Sequence, residues 1–163
     1  MPNAWPSGLE NASVTAGILR SMTDDLLRTK VSRALSSLDV NRLEPFLLEI
    51  DALYTEDMVF RDPMQTSRGR PAFLEVNRRL AKMARSIRFD VSDETGNDEL
   101  FYLHWTMHLV PRFGPEMNVE GVSRMRGRAG RVVEHVDYWD LGELFASPVG
   151  GQKLLHKLFR PFV

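Results

Sequence analysis

The stretch that decides the fold is IRFDVSDETGNDELFYLHWTMHLV, residues 87–110. Its first part alternates apolar and polar side chains, with Ile87, Phe89 and Val91 on one side, which is the two-residue period of a strand with one buried face. Gly96-Asn97 is a turn signal, and a second alternating run follows it. The stretch therefore predicts an antiparallel hairpin.

The alternating pattern continues from this hairpin toward residue 140. We predict four consecutive strands, at 86–94, 99–110, 116–126 and 131–140. Turn signals rich in glycine, proline and arginine separate the last three strands. Consecutive strands joined by short turns predict an antiparallel meander.

Before residue 86 the apolar residues recur at helical spacing. We predict helices at 22–36, 44–56 and 69–85, and a short strand at 58–64 that Pro63 halts. Helices followed by a long curved antiparallel sheet predict an α+β fold, a cone in which the sheet wraps around the N-terminal helices. The open end of such a cone is a common small-molecule site.

The length of 163 residues suits one domain, which we place at 21–163. Residues 1–20 are rich in Pro, Gly, Ser and Asn and predict a mobile N-terminal tail. Residues 150–162 predict a short basic amphipathic C-terminal helix, which we expect to pack across the mouth of the cone or on a dimer neighbour.

Composition argues against several classes of partner. The formal net charge is −1, so the whole molecule does not attract nucleic acid or anionic lipid. The basic run RMRGRAGR, residues 124–131, lacks interleaved aromatic residues and fits a hairpin better than a nucleic-acid site. There is no cysteine and no apolar run of membrane-spanning length, so we expect no membrane association and a cytoplasmic location.

Five short stretches resemble one known superfamily in the same order. They are LYTEDMVFRDP (53–63), RGRPAF (68–73), YLHWTM (102–107), EGVSRM (120–125) and GRVVEHVDYWDLGEL (130–144). The resemblance is to the nuclear transport factor 2-like superfamily, in particular its SnoaL-like branch, and covers about residues 35 to 144. That superfamily includes ketosteroid isomerases, limonene epoxide hydrolases, polyketide cyclases and scytalone dehydratases as well as noncatalytic members, so the resemblance implies the fold and leaves the function open.

Two activities of the superfamily do not carry over. The aspartate and arginine of the limonene epoxide hydrolases would fall at Met107 and Trp105, so epoxide opening is not expected. The protonated aspartate of the ketosteroid isomerases would fall at Gly121 or close by, and no tyrosine precedes Tyr54, so steroid isomerisation is not expected either.

The last strand carries the first candidate site residues. Alternation puts Val133, His135, Asp137 and Trp139 on one face, and Val132, Glu134, Val136, Tyr138 and Asp140 on the other. Asp137 matches in position an aspartate that acts in the pocket of the limonene epoxide hydrolases, which favours an inward direction for the first set. The alternative is that Asp137 pairs with an arginine or caps a backbone group.

Asp62 is the second candidate. The resemblance places it where the ketosteroid isomerases carry their general base, at a strand end near the mouth of the cone. The alternative is a turn aspartate before Pro63.

The strand at 99–110 separates the two sheet faces. Phe101, Leu103, Trp105, Met107 and Leu109 should face the helices, and Tyr102, His104, Thr106, His108 and Val110 should face outward. His104 and His108 stand about 13 Å apart on a regular strand, too far to share a metal ion. We expect Tyr102, His104, Thr106 and Val132 to belong to an outer face through which two copies form a homodimer.

The sequence supports two hypotheses of function. In the first, a mostly apolar cavity binds a small hydrophobic ligand, and Asp62 or Asp137 transfers a proton while His135 orients or relays, giving isomerase, cyclase or dehydratase chemistry without cofactor or metal. The predicted lining is Tyr54, Phe60, Phe73, Leu80, Phe89, Trp105, Met107, Gly121 and Trp139. In the second, the domain is a noncatalytic ligand-binding or dimeric scaffold.

Overall fold

The computed structural model describes residues 26–142. The helices are α1 (Leu27–Ser36), a 3-10 turn (Val40–Arg42), α2 (Leu43–Leu53) and α3 (Arg70–Met83), and the strands are β1 (Tyr54–Arg61), β2 (Thr66–Arg68), β3 (Ala84–Gly96), β4 (Leu100–Pro111), β5 (Met117–Arg128) and β6 (Arg131–Trp139). The predicted tail at 1–20 and the predicted helix at 150–162 lie outside the described residues.

The six strands form one curved sheet in the order β2-β1-β6-β5-β4-β3. The predicted meander from β3 to β6 is confirmed, because each of these strands pairs antiparallel with the next. β1 adds to the free side of β6 in parallel, and β2 pairs antiparallel with β1. The three helices cover one face of this sheet, which confirms the α+β fold.

The boundary between α2 and β1 differs from the prediction. The sequence predicts a helix that continues to about residue 56, but the observed helix ends at Leu53, and Tyr54 already has an extended backbone with φ of −110° and ψ of 147°. The Tyr54 ring is fully buried and its backbone pairs with β6, so tertiary packing overrides the helical spacing. The guanidinium of Arg70 donates to the carbonyls of Asp51 and Tyr54, which fixes this junction.

The core lies between the helices and the inner sheet face. Its sheet side includes Phe101, Leu103, Trp105 and Leu109 of β4, all buried, as alternation predicts. Its helix side consists of the apolar faces of α1, α2 and α3, with Val31, Ile50 and Phe73 among the residues buried there. The burial of these apolar side chains is the main stabilising contribution to the fold.

A bulge in β6 corrects the predicted faces of that strand. Gly127 pairs with Val132 while Arg126 pairs with Glu134, so the ladder skips one residue of β6. Val132 therefore lies in the core and is fully buried, and its predicted place on the outer face is wrong. A bulge moves the side chains on one side of it to the opposite face, and regular alternation cannot reveal it.

The hairpin between β3 and β4 also fixes the start of α1. Gly96 has a φ of +107°, which glycine adopts without strain, at the turn that the sequence indicates. In the same turn the Asp98 carboxylate accepts a hydrogen bond of 2.9 Å from the Leu27 backbone N–H. Because the first N–H groups of a helix have no partner inside the helix, this contact caps α1 from the sheet.

Candidate functional site

Asp137 lies on the inner face of β6, toward the middle of the sheet. Its neighbour on β5 is Ser123, and the adjacent cross-strand pairs are His135 with Met125 and Trp139 with Gly121. The Asp137 side chain is 17% exposed, so it retains access to solvent from an otherwise apolar face. The sequence places His135 and Asp137 on one face, and the structure brings them into direct contact.

Two donors converge on one oxygen of the Asp137 carboxylate. Asp137 Oδ1 lies 2.8 Å from His135 Nε2 and 2.5 Å from the Ser123 hydroxyl. The Ser123 oxygen in turn accepts a hydrogen bond of 2.8 Å from the indole N–H of Trp105. Within residues 26–142, Asp137 Oδ2 has no hydrogen-bond partner.

His135 lies behind Asp137 and is surrounded by aromatic rings. The rings of Tyr54, Phe60 and Phe73 have their centroids 5.2 to 6.0 Å from its own. Its side chain is only 3% exposed, and its Nδ1 lies 3.0 Å from the Tyr54 hydroxyl. A neutral imidazole that donates from Nε2 to Asp137 and accepts at Nδ1 from Tyr54 satisfies both contacts.

Tyr54 is the far end of this chain of hydrogen bonds. Burial raises the pKa of its phenol well above the ordinary value of 10.0, and the negative charge of Asp137 raises it further. The phenol therefore stays protonated and can donate to His135. The hydrogen bonds from Tyr54, Trp105 and Ser123 then all run toward Asp137, which is the terminal acceptor.

The cluster of Ser123, His135 and Asp137 is not arranged as a nucleophilic triad. In such a triad the imidazole bridges serine and aspartate through its two different nitrogens. Here Ser123 lies 3.2 Å from the same Nε2 that contacts Asp137, and the opposite nitrogen faces Tyr54. Ser123 is also buried, so the arrangement holds a carboxylate in place and does not activate a hydroxyl.

Asp62 follows the end of β1, on the strand next to Asp137. Arg61 pairs with Val136, so the next position brings Asp62 to the level of Asp137. Its Oδ1 accepts the backbone N–H groups of Met64 and Gln65 at 2.7 and 2.8 Å. These contacts are those of a turn aspartate, the alternative that the sequence left open, and a catalytic role for Asp62 stays a prediction.

The predicted lining residues divide into a packed part and a more open part. Tyr54, Phe60, Phe73 and Trp105 are buried, and Gly121 lies against the Trp105 indole, where a Cβ would collide with the ring. Leu80, Phe89, Met107 and Trp139 are partly buried and pack against the core from its edge. A ligand-sized hollow bounded by this second group stays a prediction.

The outer histidines contact separate partners. His104 lies 2.7 Å from Glu120, and His108 lies 3.0 Å from Asp90. Among residues 26–142, no group of three His, Cys, Asp or Glu side chains could hold a metal ion. No helix in the same part of the chain is long and apolar enough to cross a membrane.

Ser123 is the site residue that the sequence analysis missed. It belongs to the inward set of β5, with Val119, Gly121 and Met125. A hydroxyl on an otherwise apolar strand face needs a buried partner, and this was the available signal. The identity of that partner depends on the pairing of β5 with β6.

A family model described as the SnoaL-like domain matches residues 39–135. The chain belongs to the SnoaL-like family. None of the proteins with curated descriptions matches this SnoaL-like sequence. The match to the family model confirms the predicted resemblance and the fold that it implies.

Solved structures similar to this SnoaL-like chain share its fold at low sequence identity. A protein with a ketosteroid isomerase-like fold from Catenulispora acidiphila, solved with trimethylamine, has a TM-score of 0.61 and 15% identity over 74% of this chain and 89% of its own. A candidate SnoaL-like polyketide cyclase from Shewanella putrefaciens has a TM-score of 0.57 and 16% identity over 88% and 95%. A candidate SnoaL-like isomerase from Agrobacterium tumefaciens has a TM-score of 0.55 and 16% identity over 70% and 94%.

Proposed function

We propose that this SnoaL-like domain binds a small hydrophobic molecule inside the cone and that Asp137 acts on it as a general base. The observation that carries the proposal is the Asp137 carboxylate, held at Oδ1 by two donors while Oδ2 has no partner among residues 26–142. The partly buried Phe89, Met107 and Trp139 provide apolar surface on the same face of the sheet. A positioned carboxylate in apolar surroundings suits proton abstraction.

The other members of the cluster are positioning residues. His135 and Ser123 are buried and direct their hydrogen bonds at Asp137, so they orient the carboxylate without reaching a ligand. Because both groups donate to Oδ1, they fix the orientation of the carboxylate and thereby the position of Oδ2. Isomerisation, cyclisation and dehydration can each proceed through such a proton transfer. Among the structural neighbours, the Agrobacterium tumefaciens protein is a candidate isomerase and the Shewanella putrefaciens protein is a candidate cyclase.

Kemp elimination of a nitrobenzisoxazole tests the proposal directly. The base removes one C–H proton, the ring N–O bond breaks, and a coloured nitrophenolate forms, so the reaction reports a carboxylate in an apolar site. We expect Asp137→Asn to lower the rate by about 100-fold or more. Asp140→Asn, at the end of the same strand, is the matched control and should leave the rate unchanged.

Two outcomes would contradict the assignment. An Asp137→Asn variant with the rate of the original protein would remove Asp137 from the chemistry. Loss of the rate on Asp62→Asn, with Asp137→Asn active, would move the base to the turn after β1.

The noncatalytic hypothesis keeps one supporting observation. Tyr54, Phe60 and Phe73 pack around His135 and fill that part of the cone with the protein's own side chains. A scaffold with a filled interior would neither catalyse the elimination nor bind a hydrophobic dye such as anilinonaphthalene sulfonate. Saturable dye binding that competes with the nitrobenzisoxazole would contradict it.

Homodimerisation through the outer face is part of the proposal. Tyr138 pairs with Val122, which pairs with His104, and Tyr102 lies in the next row, so two exposed tyrosines flank this face. We expect a dimeric mass in solution and a shift toward monomer for Tyr138→Lys. A monomeric mass at micromolar concentration would contradict the dimer.

The proposed cytoplasmic location rests on the absence of cysteine.

A further inference from the structure

A groove lies away from Asp137, where the start of α2 meets the end of α3. Its volume of about 340 Å³ is at the small end of the range for ligand sites, roughly 300–1,000 Å³. It is lined by Val40, Asn41, Leu43, Ala81, Lys82, Arg85 and Arg112. Pro111, next to Arg112, is eight residues along β4 from Leu103, the neighbour of Ser123, which corresponds to ~26 Å of strand between the groove and the Asp137 cluster.

Three of the lining residues are cations that have no counter-ion in the described part of the chain. Within residues 26–142, no ion pair involves Lys82, Arg85 or Arg112. The acids nearest to the groove in sequence, Asp39 and Glu44, do not line it, and Asp39 Oδ1 accepts from the backbone N–H and the side-chain amide of Asn41. Like charges gathered at one place repel unless an anion lies between them.

The backbone holds both guanidinium groups in place. The Arg85 Nε donates to the carbonyl of Pro111 at 3.2 Å, and the Arg112 Nε donates to that of Lys82 at 2.8 Å. Each bond uses one N–H of a group that has five, so both side chains are oriented and keep donors for a ligand. An oriented guanidinium loses less side-chain entropy when it binds an anion.

The carbonyls at the end of α3 use only part of the hydrogen-bonding capacity of Arg112. A helix C-terminus carries partial negative charge on its last carbonyls, which would weaken an anion site beside it. Here the carbonyls of Lys82 and Met83 accept from Arg112, and the carbonyl of Ala81 accepts from the N–H of Ala84. These hydrogen bonds satisfy the carbonyls and leave Lys82 and the guanidinium termini for a ligand.

Apart from Asn41, the remaining surface of the groove is apolar, with Val40 and Leu43 partly buried and Ala81 buried. We propose that this groove binds a soluble phosphate monoester, with its phosphate on Lys82, Arg85 and Arg112 and its apolar part on Val40 and Leu43. A phosphate dianion matches three cations better than a single carboxylate, and guanidinium groups bind its oxygens in pairs.

Calorimetric titration of the full chain with octyl phosphate tests the site. We expect saturable binding that is stronger than binding of inorganic phosphate, since only the ester reaches the apolar strip. Lys82→Gln and Arg112→Gln should each weaken it about tenfold. Arg131→Gln, which makes the same charge change at the β5–β6 turn, is the matched control and should leave it unchanged.

Three results would overturn the proposal. One is the absence of octyl phosphate binding at millimolar concentration, and another is an equal loss in Arg131→Gln, which would show attraction by net charge alone. The third is binding to vesicles of phosphatidic acid without binding to octyl phosphate, which would assign the groove to a membrane. The Lys82 side chain makes no hydrogen bond or ion pair within residues 26–142, so Lys82→Gln tests the site even if Arg112→Gln perturbs the fold.

Discussion

His135 and His104 pair with carboxylates at nearly the same distance on opposite faces of one sheet. His135 lies 2.8 Å from Asp137, and His104 lies 2.7 Å from Glu120. The inner pair is 3% and 17% exposed, whereas the outer pair is 36% and 67% exposed. Water screens the outer pair and competes for its hydrogen bonds, so the same two groups contribute far less to stability there.

The largest expected difference between the two faces is in the effect of removing each histidine. His135→Ala leaves Tyr54 and Asp137 without their shared partner and opens a cavity among aromatic rings, so we expect a loss of about 3 kcal/mol in the free energy of unfolding. His104→Ala should cost about 0.5 kcal/mol. Urea denaturation of both variants measures the contrast, and equal losses would show that burial does not distinguish the pairs.

Gly121→Ala probes how tightly the inner face is packed. A Cβ at position 121 would meet the Trp105 indole, which would have to move and would lose its hydrogen bond to Ser123. We expect a loss of about 2 kcal/mol and a change in tryptophan fluorescence. Gly130→Ala is the comparison: its φ of +72° strains an alanine, but a Cβ there meets nothing within 4 Å, so this variant shows the cost of backbone strain without crowding. A Gly121→Ala variant as stable as the original protein would contradict this packing.

Tyr54 predicts how stability depends on alkaline pH. Because folding raises the pKa of this phenol above 10.0, the folded state holds the proton more tightly than the unfolded state. Stability should therefore be constant up to about pH 10 and fall as the pH rises beyond it.

Tyr54→Phe is the control for that pH dependence. It should cost about 1 kcal/mol at neutral pH, through the lost hydrogen bond to His135, and should flatten the decline above pH 10. Denaturation midpoints measured from pH 8 to 11 check both expectations. An unchanged alkaline decline in Tyr54→Phe would assign the effect to other groups.

The smallest expected effect is on the outer face. His108 pairs with Asp90 at 3.0 Å, and both side chains are substantially exposed. We expect Asp90→Asn to change the free energy of unfolding by less than ~0.5 kcal/mol, with less effect at high salt. Thermal melts at low and high salt, at a concentration where the chain is monomeric, measure this, and a loss above ~1 kcal/mol would show that water does not screen the pair.

The sequence predicts those parts of the fold that depend on local periodicity. Alternation across residues 87–110 identifies the inner face of β4, and the turn signals locate the meander. Alternation in β6 also predicts that His135 and Asp137 share a face. Each of these predictions needs only the two-residue period of a strand.

The remaining features depend on contacts that no local pattern encodes. The bulge that turns Val132 inward interrupts alternation without a glycine or proline in β6. β2 is three residues long, too short for a period. The contact between Tyr54 and His135 joins residues 81 positions apart through the parallel pairing of β1 with β6, so the sequence could name both residues without placing them together.

That parallel pairing has a consequence for biosynthesis. Phe60 lies opposite His135 on the neighbouring strand, 75 positions later in the chain. At a translation rate of about 5–20 residues per second, the partner strand of Tyr54 and Phe60 is synthesised roughly 4–15 s after these residues. During that interval the nascent chain exposes an unpaired strand edge with aromatic side chains, so we expect a ribosome-bound fragment ending before β6 to be a better chaperone substrate than the complete chain.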